Sequence, residues 1–183
     1  MTPLNFSQLD DYDPDALPVD RARAILLAAV EPLTGSERLG LRESLDRVLA
    51  ADAISPIDVP GHDNSAMDGW AVRSADLSAT AETRLRRSGT ALAGGPFADP
   101  LRPGETVRMM TGAPLPAGAD CVVIQEIVRD EGETVIIPPG QRREQNVRRQ
   151  GEDTRAGTAA IKAGQRLGPA ELGLLASLGV SAI

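Results

Sequence analysis

The chain has 183 residues, of which 42% are hydrophobic but only 2% aromatic, and its formal net charge is −7. This length allows one domain or two small ones, with a core built from Ala, Val, Leu and Ile. The acidic balance argues against a nucleic-acid partner, whose phosphates would call for basic residues. No segment is apolar for long enough to cross a bilayer, and the N-terminus is acidic where a signal peptide is basic, so we expect no membrane association and a cytoplasmic location.

The N-terminal part predicts an acidic tail at 1–18 and an amphipathic helix within 19–35. Asp20 is placed to cap this helix. Its apolar positions recur at helical spacing: Ala22, Ile25, Leu26, Ala29 and Val30. Further on, Ser44 predicts the start of a second short helix that continues to Leu49.

The middle of the chain changes to short β-like runs divided by Gly and Pro. These runs lie at 85–87, 90–93, 106–110, 121–124 and 134–137. The pattern is typical of a small barrel or sandwich. We therefore predict an α+β, mostly β fold, in which an all-β module at 59–155 is inserted between the two halves, 36–58 and 156–183, of a smaller α/β piece.

The final part of the chain predicts one more helix. Gly168-Pro169 provides a Pro in the first turn, and Gly179 lies just past the last apolar position. Pro near the start and Gly after the end are the usual asymmetry of a helix.

A polar stretch at 61–69 concentrates carboxylate, amide and hydroxyl groups between two glycines. Asp63 and Asp68 can form a general acid/base pair, can bind a hard cation, or can act only as turn residues. The spacing fits neither a calcium loop nor a phosphate loop. His62 is the single histidine of the chain, and a lone loop histidine is more often a packing or surface group than a functional one.

Two further positions stand out in the β module. Thr111 follows an apolar run and precedes Gly112, so its hydroxyl is expected at a strand end, where a Thr is usually a turn residue. Cys121 lies in an apolar run that predicts a buried strand, and a single cysteine excludes a disulfide within the chain.

A basic cluster at 142–149 contrasts with the acidic chain, and Gly151-Glu152-Asp153 follows it directly. Arginines recognise phosphate through charge-assisted hydrogen bonds. Carboxylates beside them favour a metal held between protein and ligand oxygens. The alternative is a salt-bridged surface with no ligand.

Three ordered stretches, 58–72, 108–116 and 145–153, closely resemble the MoeA-type molybdopterin molybdenumtransferases, the family that includes the C-terminal domain of gephyrin. The resemblance extends over 19–183, and such proteins are considerably longer than this chain. His62 stands where relatives commonly carry an aromatic residue, and Gln150 where a basic residue is frequent.

The resemblance implies the insertion of molybdenum from molybdate into adenylated molybdopterin with release of AMP, assisted by Mg²⁺. The corresponding residues are Asp68, Thr111 and Asp153 as catalytic residues, Arg148, Asn64 and Ser65 as cofactor-binding residues, and Asp68 and Asp153 as metal ligands. It also implies a homodimer in which the pterin is held by a domain beyond 183, so that these 183 residues alone would be inactive. The alternative function is a non-catalytic binding or scaffolding module of the same fold.

Overall fold

The structure, a computed structural model, describes residues 17–183. The predicted acidic tail thus lies outside the described residues, except for its last two positions. The chain divides into a first unit that ends at Arg38 and a second that runs from Leu39 to Ile183. In the first unit, helix α1 spans Val19–Ala29. Its N-cap is Pro18, so Asp20 lies within the first turn, where its charge favours the helix N-terminus, and the prediction that it caps the helix is wrong.

The second unit is mostly β, as the sequence predicts. Its strands in chain order are β1 (Ala53–Ile54), β2 (Asn64–Ser65), β3 (Gly69–Val72), β4 (Thr83–Ala91), β5 (Glu105–Met109), β6 (Cys121–Ile124), β7 (Arg129–Asp130), β8 (Thr134–Ile137), β9 (Val147–Arg148) and β10 (Ala159–Ile161). Helix α2 spans Pro169–Ser177. Within the described residues, no helix has the length and apolar character needed to cross a membrane.

Six of these strands form one sheet in the order β6-β3-β5-β4-β8-β7. Neighbours are antiparallel except for the parallel pair β4 and β5. The runs predicted at 106–110, 121–124 and 134–137 are confirmed as β5, β6 and β8. The runs at 85–87 and 90–93 are one strand, because β4 continues through Ser88 and Gly89 with only a shift in register.

Buried side chains cover both faces of this sheet, in agreement with the two-residue alternation of a strand. In β3, Trp70 and Val72 pack on one face with Cys121 and Val123. Between them, Ala71 points to the opposite face, whose buried cluster contains Ala71, Ala91, Leu101, Val107, Met109, Ala113 and Val122. Strand β3 is therefore clamped from both sides, which fixes the loop that leads into it.

A smaller α/β region joins the two ends of the second unit. Strand β1 pairs with β10, and α2 contributes Leu175 to a cluster with Leu49, Ala53, Ile161 and Leu167. Helix α2 begins and ends as predicted, and Gly179 adopts a φ of 79° after its last turn. The Glu171 carboxylate accepts a hydrogen bond from the Gly168 N–H at 2.9 Å, which replaces a side-chain cap from Gly168 itself.

The predicted helix between Ser44 and Leu49 is wrong. The chain makes a short 3₁₀ turn at Leu41–Ser44, and the Ser44 hydroxyl donates back to the Gly40 carbonyl at 2.9 Å instead of capping a new helix. Asp46 then adopts a φ of 65°, which a right-handed helix cannot include. Val48 forms an isolated antiparallel bridge with Arg166, and the Leu49 N–H donates to the Gln165 carbonyl at 2.9 Å.

The small region and the sheet are connected by two chain segments that run side by side. The Ser55 N–H donates to the Thr158 carbonyl at 2.8 Å, and the Val59 N–H donates to the Thr154 carbonyl at 2.8 Å. In return, the Asp153 N–H donates to the Val59 carbonyl at 2.9 Å. The description of 59–155 as an inserted module, with 36–58 and 156–183 as the halves of one domain, stays a prediction.

Candidate functional site

Asp68 and Thr111 meet at one edge of the six-stranded sheet. Strands β3 and β5 are antiparallel with Gly69 opposite Met109, so the residue before β3 lies beside the residues that follow β5. The backbone N–H and the hydroxyl of Thr111 each donate to Oδ1 of Asp68 at 2.7 Å. Two of the three predicted catalytic residues are thus in direct contact.

Asp68 is held as a carboxylate. The Thr111 hydroxyl, and next its backbone N–H, lower the pKa of Asp68, and the positive charge of Arg108 adds to the effect. The other oxygen, Oδ2, accepts no hydrogen bond from any residue that the structure describes. This oxygen can bind a cation or orient a water molecule, whereas an ionised Asp68 is a poor proton donor.

The polar loop is held between two other segments. On one side, β2 pairs with β9, with Asn64 opposite Arg148. On the other side, Ser65 exchanges backbone hydrogen bonds with the turn after Thr111, from its N–H to the Ala113 carbonyl at 3.0 Å and from the Gly112 N–H to its own carbonyl at 2.8 Å. The loop therefore contacts both the turn that follows Thr111 and residues 147–150, here called the arginine segment.

Asn64 and Ser65 are buried within this loop, and their polar groups bond to it. Ser65 is 0% exposed, and its hydroxyl donates to the Met67 carbonyl at 2.5 Å and accepts from the Met67 N–H at 3.3 Å. Asn64 is 7% exposed and donates to the His62 carbonyl at 3.4 Å. The geometry gives both side chains a role in holding the loop, while the His62 side chain is exposed to solvent.

Arg148 forms ion pairs with two neighbouring carboxylates. Its Nε donates to Glu152 at 2.5 Å, and its Nη2 donates to Asp153 at 2.6 Å. The bond to Asp153, followed by that to Glu152, raises the pKa of Arg148, and Arg148 in turn lowers the pKa of Glu152. The predicted Arg148 and Asp153 are thus in contact with each other, and they form an ion pair.

A second ion pair links the polar loop to the arginine segment. Arg149 donates to Oδ2 of Asp63, and the Gln150 N–H donates to Oδ1 at 2.8 Å. The Gln150 N–H, followed by Arg149, lowers the pKa of Asp63. Asp63 therefore ties the polar loop to a distant segment of the chain. The sequence did not predict this contact, because the pairing of β2 with β9 is not visible from local patterns.

The carboxylates do not form a complete metal cage. Among residues 17–183, no group of three or more His, Cys, Asp or Glu side chains is placed to hold a metal ion. Asp68 is bonded to Thr111, and Asp153 is bonded to Arg148, so each offers a single carboxylate. Mg²⁺ commonly uses one or two carboxylates together with water and substrate phosphates. The residues fit a cation that is bound jointly with a phosphorylated ligand.

Sequence comparison identifies relatives along most of the chain. Residues 17–179 match the family described as "MoeA N-terminal region (domain I and II)". A molybdopterin molybdenumtransferase of Haemophilus influenzae is 41% identical over 168 residues, which cover 91% of this chain and 41% of the relative. A protein of the same name from Synechococcus elongatus is 42% identical over 167 residues, covering 85% of this chain and 40% of the relative.

Comparison of the fold with solved structures also finds a moeA protein. The crystal structure of a molybdopterin biosynthesis moeA protein from Pyrococcus horikoshii OT3 is similar with a TM-score of 0.82 and 29% sequence identity, covering 91% of this chain and 45% of the other. The chain thus spans less than half the length of the relatives it matches. Because the match to the family covers nearly all of the described residues, the chain belongs to the MoeA N-terminal-region family.

Proposed function

We propose that this chain is part of an enzyme of molybdenum cofactor biosynthesis that inserts molybdenum from molybdate into adenylated molybdopterin and releases AMP. The names of its relatives support the substrate class. The observation that carries the proposal is the contact between Asp68 and Thr111, which leaves one carboxylate oxygen without a donor among residues 17–183 beside an exposed hydroxyl. Such a pair combines a hard oxygen ligand with a hydroxyl that can redirect its single proton from Asp68 to an oxyanion.

In the proposed reaction, the Thr111 hydroxyl turns its single proton from Oδ1 of Asp68 to an oxyanion such as molybdate when the substrate binds. The Thr111 backbone N–H keeps its bond to Oδ1, and Oδ2 of Asp68 binds a cation or orients a water molecule. When bound, Mg²⁺ would supply charge neutralisation at the pyrophosphate, with Asp68 and Asp153 as its protein ligands. Positioning and charge stabilisation of this type supply much of the catalytic advantage in phosphate chemistry.

Arg148 is proposed to bind a phosphate of the substrate. At present its Nε and Nη2 donate to Glu152 and Asp153. A phosphate would accept from the same planar guanidinium, and Arg148 can exchange partners because all three side chains lie near the surface. Asn64 and Ser65, proposed from the sequence as cofactor-binding, contribute by holding the loop, although backbone contacts to a ligand remain part of the proposal.

The remaining elements of the proposal concern the whole protein. Because the chain spans 41% of the Haemophilus influenzae relative, we propose that the pterin is bound by sequence corresponding to the rest of that relative. We further propose a homodimer in which the site described here faces the pterin-binding domain of the other subunit, and a cytoplasmic location. These 183 residues by themselves are then expected to be inactive.

The test uses the full-length protein with adenylated molybdopterin, Mg²⁺ and molybdate, and follows AMP release. Asp68→Asn keeps the side-chain shape but removes the charge, and we expect a loss of about 10²-fold or more in rate. Asp99→Asn, at an exposed position outside the site, is the matched control. Unchanged AMP release in the Asp68 variant would overturn the role of Asp68, and a wild type that neither binds the substrate nor releases AMP would overturn the proposed activity. Substrate binding without any turnover in the wild type would favour the scaffolding alternative.

A further inference from the structure

A chain of contacts connects the start of β3 to an arginine on the neighbouring strand. Arg108 lies opposite Trp70 in the pairing of β3 with β5, and its guanidinium carbon is 5.3 Å from the centroid of the Trp70 ring. Its Nη2 donates to Oε1 of Gln125. The backbone N–H of Gln125 donates to the Asp68 carbonyl at 3.1 Å. The contacts therefore lead from Trp70 through Arg108 and Gln125 to the backbone of Asp68.

Both ends of this series of contacts are fixed by buried structure. Trp70 is 1% exposed and belongs to the core on one face of the sheet. Gln125 begins a short 3₁₀ turn, Gln125–Ile127, directly after β6, and Ile124 in β6 is paired with Gly69. A planar guanidinium that stacks on an immobile ring and bonds to a side-chain amide has little rotational freedom.

Arg87 provides a natural comparison on the same ring. Its guanidinium carbon is 5.4 Å from the Trp70 centroid, nearly the same distance as that of Arg108. Its polar contacts, however, lead to Thr90 at 3.4 Å and to Asp130 at 3.7 Å, within the far side of the sheet. The two arginines share the stacking interaction, but only Arg108 is connected to Asp68 through Gln125.

We propose that Arg108 is a positioning residue for the Asp68–Thr111 pair and acts through Gln125. Arg108 holds the side chain of Gln125 and thereby fixes the position of this residue. The backbone N–H of Gln125 then holds the Asp68 carbonyl, so that the Asp68 carboxylate stays within reach of the two donors of Thr111. The part of this proposal that concerns catalysis rests on the proposed function. The geometric part does not, and it can be tested without substrate.

The geometric test is the amide resonance of Thr111. An N–H that donates to a carboxylate at 2.7 Å has a downfield proton shift and slow hydrogen exchange. We expect Arg108→Met to move the resonance upfield and to speed its exchange by about tenfold or more, while Arg87→Met leaves both unchanged. Gln125→Leu should reproduce the Arg108 effect, whereas Gln125→Glu keeps an acceptor for Arg108 and should retain the wild-type signal.

Equal effects of Arg87→Met and Arg108→Met on the Thr111 amide would overturn the proposal, because the stacking on Trp70 would then be the cause. A wild-type signal in Gln125→Leu would overturn it as well. Thermal unfolding of each variant separates a local change at Thr111 from a general loss of stability. If Arg108→Met does not fold, the comparison between Gln125→Leu and Gln125→Glu carries the test.

The kinetic test uses the full-length protein. We expect Arg108→Met to lower kcat about tenfold or more with KM changed less than about twofold, as for a residue that acts on the arrangement of the reacting groups. If the Thr111 signal moves as expected while the full-length wild type releases no AMP, the positioning role stands and the proposed function is wrong. If the signal moves while Asp68→Asn retains full activity, only the catalytic role of Asp68 is wrong. If Asp68→Asn is inactive and Arg108→Met leaves both kcat and the Thr111 signal unchanged, the positioning role is wrong.

Discussion

Thr111 donates two hydrogen bonds, from its backbone N–H and from its hydroxyl, to the same oxygen of Asp68. Both bonds measure 2.7 Å, and the acceptor is Oδ1 in each case. This arrangement orients the carboxylate while it leaves Oδ2 without a donor from the described residues. The contact separates two contributions of Thr111, because a substitution can remove the hydroxyl and keep the N–H.

The first prediction follows from that separation. In the full-length protein, Thr111→Val should reduce the rate of AMP release by about 10²-fold, the typical effect of losing one donor to a developing oxyanion. Thr111→Ser retains the hydroxyl and should stay close to wild type. The melting temperature of both variants is expected to change little, since residue 111 is exposed. A Val variant with normal turnover would show that the threonine is only a turn residue.

The second prediction concerns acid stability and Asp63. The Gln150 N–H and then Arg149 lower the pKa of this carboxyl. Because the folded-state pKa lies below the unfolded value of about 3.9, the carboxylate stabilises the fold above that value. This stabilisation is lost as the pH falls through the folded pKa. The melting temperature of Asp63→Asn should therefore lie below that of the wild type at neutral pH and approach it in acid.

Thermal unfolding between about pH 7 and about pH 3 measures this difference. Asp99→Asn removes a charge at an exposed position, and its melting temperature should follow that of the wild type over the whole pH range. A gap between Asp63→Asn and the wild type that stays constant down to the lowest pH would contradict the role of the Asp63 carboxylate.

The third prediction concerns the reactivity of Cys121. The residue is 0% exposed in β6, and burial, with a further contribution from the charge of Asp120, raises the pKa of its thiol to about 11. Since the thiolate is the reactive form, iodoacetamide should not modify the folded protein near pH 8. Modification should appear in denaturant, with a midpoint that matches unfolding followed by circular dichroism. Rapid alkylation of the native protein would mean that β6 opens locally.

The fourth prediction concerns the close approach of β6 to Gly69. A Cβ at this position would lie 2.2 Å from the Val123 carbonyl oxygen, which belongs to the backbone and cannot move aside. Gly69→Ala should therefore destabilise the fold by about 3 kcal/mol. Gly61→Ala, where a Cβ meets no atom within 4 Å, should change stability by less than about 0.5 kcal/mol. Urea unfolding of the two variants gives the comparison.

The strands of the β module could be predicted from the sequence because their signals are local. Apolar runs bounded by Gly and Pro mark β5, β6 and β8, and α2 begins and ends at its Pro and Gly. The segment after Ser44 was predicted incorrectly, since a helical pattern of apolar residues does not reveal that Asp46 adopts a left-handed conformation. There, contacts with the distant Gln165 determine the backbone.

The candidate site was predictable only in part. The family resemblance singled out four residues that the structure places in two contacts, Asp68 with Thr111 and Arg148 with Asp153. Their partners could not be read from the sequence, because strand register decides which residues face each other. The burial of Ser65 was missed for the same reason, because it follows from the pairing with β9 on one side and with the turn at Gly112 and Ala113 on the other.

The loop between Asp63 and Asp68 is held by segments that the ribosome makes much later. Thr111 follows Asp68 by 43 positions, and Gln150 follows Asp63 by 87. At about 5–20 residues per second, roughly 4–17 s pass between the synthesis of Asp63 and that of Gln150. The segment at Thr111 is made about halfway through this interval, and the segment at Gln150 only at its end. The contacts that hold Asp63 can therefore form only after strands β3 to β8 have been synthesised.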